Sequence, residues 1–254
     1  MHRFSSTPPN PWAFFFDFDG TLVEISDSPD LVHIPTGLGN HLAHLSKRAQ
    51  HALAIVTGRR IADIDRMLAP HHLDVAGVHG AEIRIGSKFA VKAFTPSRAF
   101  TEILAELYRR FGEKGLLIED KGMAVAVHWR LHPDYEPDIR RFMEDAASLL
   151  GKDYRLQYSK AVAEIVPATS TKEKAIEQFL GSPCYRARLP IFFGDDLTDE
   201  SGFDLANRKG GISVRIGAGP TTARYRLANS ETLRLRLMAW AKGAPIDLAK
   251  DLSP

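Results

Sequence analysis

Phe14-Phe15-Phe16-Asp17-Phe18-Asp19-Gly20-Thr21-Leu22 is the stretch on which the architecture turns. Three consecutive Phe suit a strand buried on both faces, as in a parallel sheet covered by helices, and Gly20-Thr21 stops it. Side chains alternate along a strand, so Asp17 and Asp19 are expected to project the same way at its carboxyl end. Two carboxylates so placed repel each other, and a bound divalent cation relieves the repulsion. Taken alone, Asp-Phe-Asp-Gly is equally the polar turn that closes many strands. Three further segments carry the reading beyond that.

Outward from this strand, Pro35 opens a helix with Leu38, Leu42 and Leu45 on one face, and residues 53–56 form a second buried strand that breaks at Thr57-Gly58-Arg59. Ile61, Ile64 and Leu68 mark another helix. Residues 75–78 are a short strand, followed by His79-Gly80 and a hairpin through Gly86-Ser87. From about Thr95 the order changes to helix, strand, strand, twice over: helices around 100–111 and 139–150, strands at 116–119, 124–129, 155–158 and 162–166. An antiparallel sheet with helices on one face requires that order. Residues 172–180 then form a helix, 189–193 and 211–216 two more buried strands, and 221–242 a helical tail. The expected fold is α/β: a Rossmann-like parallel-sheet core into which an α+β cap domain is inserted. Its boundaries are a disordered leader at 1–11, core at 12–94, cap at 95–168 and core again at 169–254. Hinges are expected near 94–97 and 168–171.

Composition is that of an ordinary soluble protein: 254 residues, 25% charged, net charge +2. No long basic run offers a track for nucleic acid, and the arginines of the tail, Arg224, Arg226, Arg234 and Arg236, read as a solvated basic face. Cys184 is the only cysteine, which fits a reducing compartment, and no stretch is apolar for long enough to span a bilayer. The expectation is a cytoplasmic protein with a small-molecule substrate, no nucleic-acid or membrane partner, and a monomer as the default state.

Three core strands end in polar clusters: Asp17 and Asp19, then Thr57, then Gly194-Asp195-Asp196-Leu197-Thr198-Asp199-Glu200. Ligands of open α/β sheets sit beyond the carboxyl ends of the strands, so these clusters meet if the strands are neighbours. Several carboxylates without His or Cys suit a hard cation held by oxygen, Mg²⁺ above all, rather than zinc. They also suit phosphoryl transfer. Monoester hydrolysis needs accelerations of up to ~10²¹-fold, which takes a nucleophile, a metal and donors around the transferring oxygens acting together.

Asp17-Phe18-Asp19-Gly20-Thr21-Leu22, Thr57-Gly58-Arg59, Lys172 and Gly194-Asp195-Asp196-Leu197-Thr198-Asp199 resemble, in order, the four motifs of haloacid-dehalogenase-superfamily phosphatases. The resemblance implies Asp17 as the nucleophile, Asp19 as general acid and then base, Thr57 as a donor to the phosphoryl oxygens and Lys172 as their charge partner. It implies Mg²⁺ at Asp17, Asp195 and the backbone carbonyl of Asp19, with Asp196 and Asp199 acting through water or from behind. On these roles Asp19 should occupy a cation-poor spot that lets it keep a proton. Glu173 stands where this superfamily usually has Gly, and could pair with or tilt Lys172.

The inserted domain is similar to that of the trehalose-6-phosphate phosphatase family in four segments. These are Val78-His79-Gly80-Ala81-Glu82-Ile83, Glu119-Asp120-Lys121-Gly122, His128-Trp129-Arg130, and Lys160 with Glu164-Ile165 ahead of Pro167. On their own the second would be a charged hairpin turn and the third a solvated strand face. The resemblance implies trehalose 6-phosphate as substrate, Glu119, Lys121 and Glu164 as the grip on its hydroxyls, and further contacts from Arg59, His79, Gly80, His128 and Arg130. Trp129 and Val166 depart from the family, which favours tyrosine at the first position and often a basic residue at the second. Another sugar phosphate such as sucrose phosphate, or a catalytically silent sugar-phosphate sensor, are the alternatives.

Overall fold

Strand β1 (Trp12–Phe16) carries four buried side chains in a row, and that requires cover on both faces. The computed structural model describes residues 11–26, 31–86, 88–91 (backbone only) and 96–245. Most of the expected leader and part of the first expected hinge lie outside the described residues. β1 sits inside an eight-stranded sheet. From one edge its order is β12 (Tyr225–Leu227), β11 (Ile212–Ile216), β10 (Leu189–Gly194), β1, β2 (Leu53–Val56), β3 (Asp74–Gly77), β4 (Glu82–Ile85) and β5 (Lys88–Val91). Neighbours from β12 to β3 run parallel, and β4 and β5 are antiparallel.

Alternation along β1 divides the core in two. Phe14 and Phe16 face helices α1 (Leu38–Arg48), α2 (Ile61–Leu68) and α7 (Ser230–Ala241). Ala13 and Phe15 face α5 (Lys172–Leu180) and α6 (Glu200–Arg208). Phe15 lies between Phe179 and Tyr185, with ring centroids 5.9 and 5.7 Å away. The helices present the apolar faces read from sequence: Leu38, Leu42 and Leu45 on α1, and Ile61, Ile64 and Leu68 on α2.

A second, antiparallel sheet has the order β6 (Leu117–Asp120), β7 (Val125–His128), β9 (Val162–Pro167), β8 (Tyr154–Ser159). Helices α3 (Arg98–Phe111) and α4 (Glu136–Leu150) cover one face of it through Phe100, Leu107, Phe111, Ile139, Phe142 and Met143. Trp129 is buried in that cluster. The opposite face is polar and turns toward the larger sheet. A small apolar seam joins the two units, formed by Val78 and Ala81 from the core and Met123, Ala124 and Val166 from the cap. Val166 therefore has a packing role where a basic side chain would be stranded.

The tail differs from expectation. Residues 225–227 extend the large sheet as β12, and the helix starts only at Ser230. Asn229 sets that start, its side chain accepting from the Thr232 N–H at 2.9 Å. Among the described residues no helix is long and apolar enough to cross a membrane. Truncating Phe15 to Ala should cost about 3–5 kcal/mol of stability, since a fully buried ring between two others leaves a cavity. Urea denaturation reads this directly, and a loss under about 1 kcal/mol would show a core that collapses freely.

Candidate active site

Strand order brings the polar ends together. β10 and β2 flank β1, Phe16 pairs with Phe193 and Ile55, and the Asp17 N–H donates to the Phe193 carbonyl at 2.9 Å. The sequence expectation of one strand carrying both acids is corrected here: β1 ends at Phe16. Beyond Asp17 the chain turns, and the Phe18 carbonyl accepts from the N–H groups of Thr21, Leu22 and Val23. Gly20 makes that turn at φ 80°, and a Cβ there would lie 2.2 Å from Asp195 Oδ2. Gly194 is equally constrained, because its Cβ would meet Asp199 Cγ at 2.3 Å.

Lys172 is the hub. It opens α5, whose first turn is capped by Thr171 Oγ1 accepting from the Lys174 N–H. Its ammonium donates to Asp199 Oδ1 at 2.6 Å and lies 2.8 Å from Asp17 Oδ1. Asp199 Oδ2 accepts the N–H groups of Asp195 and Asp196, so the loop after β10 folds around it. Glu173 turns away and pairs with Arg208, leaving Lys172 untilted.

Burial, then the neighbouring Asp199 and Asp195, push the Asp17 carboxyl well up against the pull of Lys172. Asp195 is pushed up to about 6 by burial and by Asp199. Lys172 is raised, its burial outweighed by the two carboxylates it touches. One oxygen from each of Asp17, Asp195 and Asp199 falls within 4.8 Å of the others, and all three residues are buried. Three buried carboxylates against buried Lys172 and the largely exposed Lys160 leave negative charge among oxygen donors only, a set that suits a hard divalent cation. Asp196 stands outside this group. Its side chain caps the turn at residues 197–199 and accepts from Ser159 Oγ at 2.5 Å.

Asp19 does not occupy a cation-poor spot. Arg59 grips it bidentately, Nε and Nη2 each donating at 2.7 Å. The reason is topological: Arg59 leaves β2 next to β1, so its side chain reaches straight across to Asp19. Burial opposes the charge on Arg59, but the Asp19 contact outweighs it and raises the guanidinium. Thr57, buried in the same loop, accepts from the Arg59 N–H at 3.2 Å. Glu82 anchors the loop from β4 by accepting the Ile61 N–H at 2.9 Å.

From the other side the cap lowers its polar face. Glu119 Oε2 lies 2.7 Å from His128 Nε2 and 3.9 Å from Lys121 Nζ. Burial drives Glu119 up, yet His128 and Lys121 outweigh it and hold the carboxyl below its usual range. Lys121 Nζ donates to Glu164 Oε1 at 2.7 Å, and His79 Nε2 sits 2.8 Å from Glu164 Oε2. Against its own burial, Glu164 is held well below the usual range by Lys121 and then His79. His79 is lowered, chiefly by burial, so the ring acts as a neutral imidazole donor toward a carboxylate that Lys121 keeps ionised. Three successive positive φ angles, at Val78 (47°), His79 (55°) and Gly80 (102°), thrust His79 toward the cap. A β-branched residue in that region marks strain tied to a site.

All of the residues proposed from sequence line one cleft between the sheets except Gly80 and Asp199. Gly80 faces α5, where its Cβ would lie 3.0 Å from that of Ala175, and Asp199 stands behind Lys172. Arg130 reaches from the cap to the core, donating to the Ser26 carbonyl at 2.5 Å. Gln157 and Ser159 also line the cleft and were not singled out from sequence, and Lys160 places its ammonium 3.7 Å from Asp195 Oδ2. The signal was there in β8: Arg155, Gln157 and Ser159 alternate with Tyr154, Leu156 and Tyr158.

Comparison with known proteins agrees with this geometry. A family model described as trehalose-phosphatase matches residues 15–231. The chain is 43% identical over 213 residues to a probable trehalose-phosphate phosphatase of Sinorhizobium fredii, covering 84% of this chain and 80% of that one. It is 39% identical over 219 residues to the trehalose-6-phosphate phosphatase of Escherichia coli, covering 85% and 82%. A crystal structure of a trehalose-6-phosphate phosphatase related protein superposes with a TM-score of 0.75 at 28% identity, over 90% of this chain and 96% of that one.

The raised Asp195 has a measurable sign. An acid whose folded pKa lies above its unfolded value of 3.8 loses stability for the fold as pH rises through that window, here from 3.8 to about 6. The Glu164 contribution runs the other way but is complete above the usual Glu range, so it is flat from pH 5 upward. In chelator-treated protein, Asp195→Asn should therefore gain about 1 kcal/mol relative to wild type between pH 5 and pH 7. Parallel stability–pH curves for the two proteins would contradict the crowding of carboxylates at this site.

Proposed function

The chain belongs to the trehalose-phosphatase family, and on that premise we propose that it hydrolyses trehalose 6-phosphate to trehalose and inorganic phosphate through an aspartyl-phosphate on Asp17. The observation that carries this reading is Asp17 itself: buried, 2.8 Å from Lys172, and at the floor of a cleft roofed by Glu119, Lys121 and Glu164. We place domain boundaries near residues 95 and 168, with the cap as the sugar-reading unit.

Mg²⁺ would be held by Asp17, Asp195 and the Asp19 carbonyl, with Asp199 behind; when bound it offsets negative charge on the phosphoryl oxygens and on Asp17. A carboxylate oxygen of Asp17 attacks phosphorus, and the bond to the sugar oxygen breaks with its electron pair leaving on that oxygen. Asp19 gives the departing oxygen a proton. The resulting Asp19 carboxylate then takes a proton from water as that water attacks the phosphoryl group, and the bond to Asp17 breaks to release phosphate. Lys172 and Thr57 donate to the phosphoryl oxygens. Arg59 must release its fork from Asp19 for the first proton to pass, and an incoming phosphate is a competing bidentate partner for it. Ionised Glu119 and Glu164, with Lys121 between, accept and donate to sugar hydroxyls, and His128 steadies Glu119.

Phosphate release from trehalose 6-phosphate, measured with Mg²⁺ and again with chelator, tests the whole scheme. Asp17→Asn should lower it by about 10³-fold or more, since the carboxamide keeps the shape and loses the nucleophile. Near-normal turnover in that variant would remove covalent catalysis at this position. Glu119→Ala should reduce kcat/KM for trehalose 6-phosphate at least about tenfold, with little change on p-nitrophenyl phosphate. Equal loss on both substrates would make Glu119 structural, and equal wild-type turnover of sucrose 6-phosphate would remove the specific sugar assignment.

A further inference from the structure

We propose that Gln157 is a positioning residue for sugar recognition: it fixes the Glu164 carboxylate, at the oxygen that His79 also reaches from the core beneath the cap. The inference rests on the reading of Glu164 as a sugar contact. Gln157 on β8 stands directly opposite Glu164 on β9, so both side chains leave the sheet on the face that looks into the cleft. The orientation of its amide is set from behind. Arg155 Nη1 donates to Gln157 Oε1 at 2.5 Å, and Arg155 Nη2 donates to the Ser170 carbonyl at 2.7 Å. With its oxygen so engaged, Nε2 of Gln157 faces forward, 2.8 Å from Glu164 Oε2 and 2.9 Å from His79 Nε2.

The Glu164 carboxylate thus has three neighbours from three different elements: Lys121 after β6, Gln157 on β8 and His79 from the core turn. A glutamate has three side-chain torsions, and a sugar hydroxyl is recognised only if the carboxylate is held in one place. Lys121 alone fixes one oxygen and leaves the plane free to rotate. Gln157 fixes the other from within the cap, and His79 meets that same oxygen from the core. A substrate without a sugar, reacting at Asp17 alone, has no need of a fixed Glu164.

Two variants decide the matter. Gln157→Met keeps length and bulk without the donor, and Gln157→Glu keeps the shape but sets a like charge against Glu164. With trehalose 6-phosphate, kcat/KM should fall about tenfold for Gln157→Met and further for Gln157→Glu, the change appearing mainly in KM. With p-nitrophenyl phosphate both variants should stay within about twofold of wild type. Equal losses on the two substrates, or a Gln157→Glu variant as active as wild type on the sugar phosphate, would overturn the proposal; thermal melts of both variants separate misfolding from either result. A wild type that ignores trehalose 6-phosphate but cleaves a different sugar phosphate would sink the substrate assignment instead. The same comparison with that sugar phosphate would then decide the role of Gln157.

Discussion

One buried ammonium organises the catalytic end of this molecule. Lys172 touches Asp17 just beyond β1 and Asp199 on the loop after β10, and it opens the helix that packs beneath both strands. A lysine buried to this degree is tolerated only with paired acids, and each acid is tolerated only because of the lysine. The arrangement ties strand order to loop conformation: with β10 beside β1, one ammonium meets a carboxylate from the end of each. Asp195, buried and with the exposed Lys160 ammonium 3.7 Å away, adds a third carboxylate to the cluster, and a divalent cation suits such a set.

The core of this arrangement was legible in the chain, and the reason is physical. Buried parallel strands are continuous apolar runs, so 13–16, 53–56 and 191–193 announce themselves, and the polar residues directly after them fall at one edge of the sheet. The Arg59–Asp19 fork was not legible, because it depends on β2 being next to β1, and spacing along a chain carries no strand order. The expected cation-poor setting for Asp19 failed for that reason. β12 was read as helix since Tyr225-Arg226-Leu227 is too short for its alternation to outweigh the longer helical pattern after it. Asn229 was the overlooked helix start.

The cap shows a division of labour that a sequence states only faintly. Its sheet has one face sealed by α3 and α4 and another that carries the polar Glu119, Glu164 and Gln157 on β6, β9 and β8. Sealing one face with helices supplies stability, and the other is thereby released from packing and can hold charge. Arg130, Ser159 and Lys160 extend the polar surface toward the core, where the Ser26 carbonyl, Asp196 and Asp195 receive them.

The apolar seam of Val78, Ala81, Met123, Ala124 and Val166 gives the two units an attachment of a different thermal character. Burial of hydrocarbon weakens on cooling, while hydrogen bonds and ion pairs do not share that dependence. As temperature falls, the grip between the units passes from oily contact toward polar contact.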